Sequence, residues 1–218
     1  MCHYSPNKLK NNSMTPMLDV EGFILVGGMS SRMGKDKSRL MFGDRTSVAL
    51  IAASLQRVAR TVRTVGAAVS AVEGLANIAD THNKWGPLAG IEAALSNAKS
   101  EHCLIVACDL PFVTGELFER LIGFTDHWEA VVPLQSDGRP QPLCAIYRRS
   151  PCLAAAQRAI VNGGHSPRVM LDQVHARYVP FTELSDLEGA EHFFLNVNTP
   201  ENYESAQQIF NARLRTGQ

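Results

Sequence analysis

Short apolar segments alternate with segments of helical periodicity along much of the chain, and no other feature constrains the fold as strongly. The run EGFILVG (21–27) is typical of a buried strand, and residues 46–59 then place apolar side chains at helical spacing. The run CLIVACD (103–109) is the most apolar of all and is expected in the middle of a sheet. This alternation, up to about residue 150, predicts a mostly parallel sheet with helices on both faces.

A turn-rich interval and several capping residues complete the predicted architecture. Residues 136–140 (SDGRP) separate two apolar runs and predict a reversal of the chain, where a small antiparallel portion joins the sheet. Capping residues or proline predict further helix starts at Pro87, Thr114, Ser150, Ser166 and Thr199. The sequence therefore predicts a single Rossmann-like α/β domain.

Composition agrees with one soluble domain of 218 residues. The 21 basic and 21 acidic residues balance, and no stretch approaches the roughly 20 apolar residues that span a bilayer, so we expect neither nucleic acid nor membrane as a partner. Five cysteines without a CxxC pair favour reduced thiols and a cytoplasmic protein. Residues 1–20 are polar and predict a flexible N-terminal tail, and residues 211–218 are assigned to a C-terminal tail, which leaves the domain to residues 21–210.

The segment LVGGMSSRMGKDKSRL (25–40) combines glycines with four cations, Arg32, Lys35, Lys37 and Arg39. A glycine-rich turn between a strand and a helix lets backbone N–H groups approach an anion, and the cations add positive potential. The pattern therefore favours a phosphate group as the ligand. A solvated surface loop is the alternative that the pattern alone leaves open.

The same loop excludes several common enzyme classes. Its spacing is neither GxGxxG nor GxxxxGK[ST], which argues against a Rossmann dehydrogenase and a P-loop NTPase. The sequence also contains no GxSxG, which disfavours hydrolysis by a serine nucleophile.

Asp109 ends the most apolar predicted strand, where its carboxylate would face the crevice beyond the sheet. One or two carboxylates together with substrate phosphates commonly bind Mg²⁺. Asp109 could instead cap the following helix.

Two further pairs of residues are candidates for ligand contact. Gly86 and Gly90 flank a predicted helix start, where the chain could lie flat against a base or ribose. Asn196 and Asn198 alternate in FFLNVNTPEN, and in a strand their amides would point to one side. Capping of the last helix by Asn198 or Thr199 is the alternative.

Five segments occur in an order and at separations that resemble one enzyme family. They are LVGGMSSRMGKDK (25–37), WGPLAGI (85–91), CDLPF (108–112), QPLCAIY (141–147) and LNVNTPENY (195–203). Together they resemble the molybdenum cofactor guanylyltransferases, which are MobA-type nucleotidyltransferases. The similarity runs from about residue 21 to 209 and implies a nucleotidyltransferase domain over residues 21–210.

The resemblance implies a GTP site in the glycine-rich loop. Leu25, Gly27 and Gly28 match the part of the family pattern that faces the base. Arg32 and Lys37 match the catalytic residues that bind the triphosphate and the leaving pyrophosphate.

The resemblance also implies a metal site and a second part of the GTP site. Asp109 would be catalytic and would hold Mg²⁺, the implied cofactor, beside the GTP phosphates. Asp80, Gly86 and Gly90 would lie near guanine and ribose.

On the acceptor side, the resemblance places Asn196 and Asn198 toward molybdopterin. Two positions depart from the family pattern: Val26 stands where alanine is usual, and Cys144 where histidine is frequent. The first would add bulk beside the base pocket unless the strand absorbs it, and the second could alter the acceptor side.

The implied reaction joins GMP from GTP to the terminal phosphate of molybdopterin-bound molybdenum cofactor and releases pyrophosphate. Its partners would be GTP and the molybdenum cofactor, and molybdopterin-delivering proteins and molybdoenzyme chaperones are conceivable protein partners. Two alternatives stay open: a cytidylyltransferase that acts on molybdopterin or a sugar-alcohol phosphate, and a GTP-binding module without turnover. The presence of both Lys37 and Asp109 argues against the second.

Overall fold

The structure, a computed structural model, describes residues 18–27, 37–66, 74–79 and 86–216. Within them the strands are β1 (Val20–Val26), β2 (Met41–Phe42), β3 (Arg45–Thr46), β4 (Thr61–Gly66), β5 (Ala76–Ile78), β6 (His102–Ala107), β7 (Ala130–Pro133), β8 (Cys144–Arg148) and β9 (Ala176–Val179). The α-helices are α1 (Ser47–Gln56), α2 (Pro87–Asn97), α3 (Gly115–Ile122), α4 (Arg149–Val161), α5 (Pro167–Leu171) and α6 (Pro200–Thr216). Short 3₁₀ helices span Lys37–Arg39, Phe181–Glu183 and Ala190–His192.

The main sheet has seven strands in the order β5-β4-β1-β6-β8-β7-β9. β1 pairs in parallel with both β4 and β6, whereas β8 runs antiparallel to β6 and β7. The predicted α/β architecture, with a mostly parallel sheet and a small antiparallel portion, is therefore confirmed. The chain moves from β1 outward to β4 and β5, then returns to place β6 on the other side of β1, so the strand order switches direction between β1 and β6.

Helices cover both faces of the sheet because alternate residues of each strand point to opposite sides. In β1, Ile24 and Val26 join a core cluster with α1 and α3, while Phe23 joins a second cluster with α2, α4 and α5. Every residue of β6 is buried, which confirms its predicted central position. In the described part of the chain, no helix has both the length and the apolar character needed to cross a membrane.

Described residues on both sides of the predicted domain bounds, 21–210, belong to a strand, a helix or the core. β1 begins at Val20, and Leu18 packs against the first core cluster, so residues assigned to the predicted tail of residues 1–20 contact the core. Helix α6 continues to Thr216, beyond residue 210 where the domain was expected to end. The physical reason is tertiary contact: the Arg213 guanidinium lies 5.1 Å from the centre of the Phe112 ring and donates to the Gly189 carbonyl at 3.3 Å.

The cysteines of the described residues are buried, and their chemistry follows from that burial. Desolvation raises the pKa of Cys103 and of Cys152 to about 12, and it also raises the pKa of Cys144. Because only the thiolate is nucleophilic, these three thiols and the buried Cys108 are expected to resist iodoacetamide at pH 8 in the native protein. Peptide mass spectrometry before and after unfolding in urea tests this. Rapid native labelling of Cys103 or Cys152 would contradict it.

Candidate active site at the carboxyl edge of the sheet

The site lies where β1 and β6 end side by side, at the switch in strand order, which is the usual ligand position in open α/β sheets. The Cys108 N–H donates to the Leu25 carbonyl at 3.1 Å and so continues the contact between the two strands to the residue before Asp109. Gly27 follows β1 with φ of 129°, a left-handed conformation that favours glycine. The position directly after β1 therefore needs a glycine for its backbone geometry.

Lys37, Asp109 and Asn198 meet at this edge. The Lys37 Nζ lies 3.7 Å from Asp109 Oδ2 and donates a hydrogen bond to Asn198 Oδ1. The Lys37 and Asp109 side chains are only 19% and 17% exposed. Burial raises the pKa of the Asp109 carboxyl, and the Lys37 charge opposes that rise. The structure thus brings three predicted site residues together in a largely desolvated position.

Helices α3 and α6 are capped by threonines and not by Asp109 or Asn198. The Thr114 hydroxyl accepts from the Leu117 N–H at 3.2 Å and caps α3. The Thr199 hydroxyl accepts from the Asn202 N–H at 3.2 Å at the start of α6. The capping interpretation of Asp109 is therefore wrong, and for the last helix it is correct for Thr199.

The acceptor-side asparagines do not have the predicted geometry. Residues 195–198 form no strand, so the alternation that placed Asn196 and Asn198 on one face does not apply. Instead, the Val197 N–H donates to the Asp109 carbonyl at 3.0 Å, which holds the segment against the end of β6. Asn198 reaches Lys37, whereas the Asn196 amide donates to the Phe194 carbonyl at 3.3 Å.

Gly86 and Gly90 have identifiable packing roles beside β1. A Cβ on Gly90 would lie 3.3 Å from Leu25 Cδ2, so α2 approaches the end of β1 closely and these two predicted site residues touch. Gly86 caps α2 with φ of 81°, and a Cβ there would lie 3.3 Å from the His165 carbonyl oxygen. Contact of Leu25, Gly27, Gly86 and Gly90 with a base or ribose remains a prediction.

Several sequence-based predictions fall on residues outside the described part of the chain. Gly28, Arg32 and Asp80 belong to this group, and their assignments stay predictions. Arg39, the last of the four cations in the segment 25–40, is exposed.

The two departures from the family pattern lie in the core. Val26 is 4% exposed and points into the first core cluster, opposite to Leu25, so the strand absorbs its extra bulk. Cys144 is fully buried in β8. Its side chain therefore offers no surface for direct contact with a substrate, and an effect of Cys144 on the acceptor side stays a prediction.

Ser47 is a residue near the site that the sequence did not indicate. It is 1% exposed, and its hydroxyl donates to the Cys108 carbonyl at 2.6 Å, next to Asp109. A single serine at a helix start has no distinctive pattern, so no sequence signal could have revealed this contact.

Asp109 is the predicted ligand of Mg²⁺, and its surroundings can be compared with what that ion needs. Among the described residues, no group of three or more histidine, cysteine, aspartate or glutamate side chains could form a metal site by itself. A single carboxylate still fits Mg²⁺, since that ion keeps several waters and takes other ligands from substrate phosphates. Asp109 lies at the strand switch and beside Lys37, and this position is compatible with a role as the single protein ligand to Mg²⁺.

The strand switch, the Lys37–Asp109 pair and the cationic glycine-rich sequence before it define an enzyme of the nucleotidyltransferase class. Residues 22–177 match the MobA-like NTP transferase domain, and the chain belongs to that family. A probable molybdenum cofactor guanylyltransferase of Pelotomaculum thermopropionicum is 33% identical over 205 residues, which are 92% of this chain and 98% of that protein.

Solved structures agree with this assignment. Molybdopterin-guanine dinucleotide biosynthesis protein A from Archaeoglobus fulgidus superposes with a TM-score of 0.76 at 27% identity, covering 88% of this chain and 99% of that one. The 2-C-methyl-D-erythritol 4-phosphate cytidylyltransferase of Thermus thermophilus superposes with a TM-score of 0.65 at 17% identity, covering 89% of this chain and all of the other. The second likeness concerns the fold alone.

Proposed function

We propose that this chain transfers GMP from GTP to the terminal phosphate of the molybdopterin-bound molybdenum cofactor, forming the guanine dinucleotide cofactor and releasing pyrophosphate. The observation that carries the proposal is the cluster of Lys37, Asp109 and Asn198 at the strand switch. The likeness to named guanylyltransferases over nearly the whole chain supports guanine as the base and molybdopterin as the acceptor.

In the proposed reaction, an oxygen of the acceptor phosphate attacks the α-phosphorus of GTP. A new P–O bond forms while the bond from the α-phosphorus to the bridging oxygen breaks, and pyrophosphate leaves with that electron pair. A phosphate dianion is already a nucleophile, so no side chain has to remove a proton. The protein's main task is to align two anions and stabilise the charge that develops between them.

Lys37 and Asp109 suit these tasks. Lys37 carries a positive charge in a largely desolvated position, where it stabilises a phosphate oxygen more strongly than in water. Asp109 would hold Mg²⁺, which when bound supplies positive charge to the phosphate oxygens. Asn198 accepts from the Lys37 ammonium and so restrains the direction in which that group points. In its proposed role, the guanidinium group of Arg32 would also bind the leaving pyrophosphate.

A nucleotide screen tests the proposal. Pyrophosphate release is measured with GTP, CTP, UTP or ATP in the presence of molybdopterin acceptor and Mg²⁺, with omission of the acceptor and of Mg²⁺ as controls. Release with GTP that requires both is the expected result. Faster release with CTP would instead assign the chain to the cytidylyltransferases. Binding of GTP in a calorimeter without release under any condition would indicate a module without turnover.

A further inference from the structure

Ser47, the first residue of α1, contacts both segments that supply the charged residues of the site. Its hydroxyl donates to the Cys108 carbonyl at 2.6 Å, and Asp109 is the next residue. Its backbone N–H donates to the Leu40 carbonyl at 2.9 Å. Leu40 in turn donates to the Lys37 carbonyl at 3.2 Å, which closes the 3₁₀ turn that carries the lysine.

We infer that Ser47 is a positioning residue that fixes the distance between Lys37 and Asp109, an inference that rests on the proposed function. One residue with 1% exposure joins the two segments through its hydroxyl and its backbone. The Lys37–Asp109 separation of 3.7 Å depends on where these segments lie relative to each other. Buried side chains in close-packed surroundings have few alternative positions, so this link is rigid.

The Ser47 hydroxyl is not needed to begin α1. The Thr46 hydroxyl caps that helix by accepting from the Ala49 N–H at 3.1 Å. The Ser47 hydroxyl points instead across to the loop after β6. Its loss is therefore expected to loosen the link to Asp109 while the helix start keeps its cap.

The chain offers a matched control in the same helix. The Ser54 hydroxyl donates to the Val113 carbonyl at 2.8 Å, on the same loop after β6 but beyond Asp109. Ser47→Ala and Ser54→Ala thus each remove one hydroxyl that joins α1 to this loop. Only the first change removes a bond beside Asp109.

The test compares the kinetics of the two variants with the wild-type enzyme. Ser47→Ala is expected to lower kcat for pyrophosphate release about 10- to 100-fold with little change in the KM for GTP, because small displacements of aligned groups cost rate. Ser54→Ala is expected to keep the wild-type kcat, and both variants should show similar melting temperatures. Equal kcat values for both variants at equal stability would overturn the inference.

Amide hydrogen exchange provides a readout that does not depend on turnover. Ser47→Ala should speed exchange of the Leu40, Cys108 and Val197 amides about tenfold, since each lies in a segment that Ser47 holds directly or through Asp109. Ser54→Ala should leave these amides unchanged. If the wild-type chain releases no pyrophosphate with any nucleotide, the proposed function fails, and exchange alone decides the role of Ser47. Identical exchange in the two variants would overturn that role.

Discussion

Replacement of Lys37 by alanine is expected to lower the rate of GMP transfer about 10²- to 10³-fold at saturating GTP and Mg²⁺. The Lys37 ammonium lies 3.7 Å from Asp109 and in a position that is only 19% exposed, so no solvent cation can replace it with the same geometry. Its loss removes stabilisation of the developing charge and also leaves the Asp109 carboxylate without its ionic partner. The rate is measured as pyrophosphate release with the molybdenum cofactor as acceptor.

Arg39→Ala is the matched control for this prediction. Arg39 belongs to the same 3₁₀ helix, carries the same charge and is exposed. We expect this variant to retain nearly the wild-type rate, and circular dichroism should show that both variants keep the fold. Turnover of Lys37→Ala at the wild-type rate would remove Lys37 from the catalytic assignment.

Replacement of Glu21 by alanine is expected to lower the free energy of unfolding by about 3–5 kcal/mol, because it removes the buried carboxylate of an ion pair and leaves its hydrogen-bond donors, the partly buried Arg63 among them, without that acceptor. Glu21 is 3% exposed and lies near the amino end of β1, whereas the site lies at the carboxyl end of that strand. Its carboxylate accepts from the Arg63 guanidinium at 3.2 Å and from the Lys99 N–H at 2.7 Å, with longer contacts to Thr61 and Ser100 at 3.4 Å. Urea unfolding followed by circular dichroism measures the change.

Glu101→Ala is the control for this change. Glu101 pairs with Arg148 at 2.7 Å, but the two side chains are 57% and 49% exposed, so its loss should cost less than about 1 kcal/mol. The folded Glu21→Ala protein should still release pyrophosphate, since Glu21 is remote from Asp109. Equal destabilisation by the two changes would show that the buried network does not stabilise the fold as argued.

Much of the secondary structure could be predicted because it depends on local patterns. Apolar runs and helical periodicity identified β1, β6 and α1, and the capping residues Thr114 and Ser166 mark real helix starts. The end of α6 could not be predicted in this way. Its last turns are held by contacts of Arg213 with residues far away in the sequence.

The candidate site was only partly predictable, for a related reason. Asp109 could be found from its place after an apolar strand, and Lys37 from the cationic loop. The strand predicted around Asn196 was wrong, because alternation in a short segment does not show whether another strand is available to pair with it.

By itself, the sequence determined the alternating α/β architecture, the family resemblance and the identity of the charged residues, since these follow from periodicity and from motifs of neighbouring residues. Only the tertiary structure decided the place of β8 between β6 and β7, the meeting of Lys37 with Asp109 and Asn198, and the buried link through Ser47. The physical reason is that strand order and close packing join segments distant in the chain, and no local pattern encodes which distant partner each segment meets.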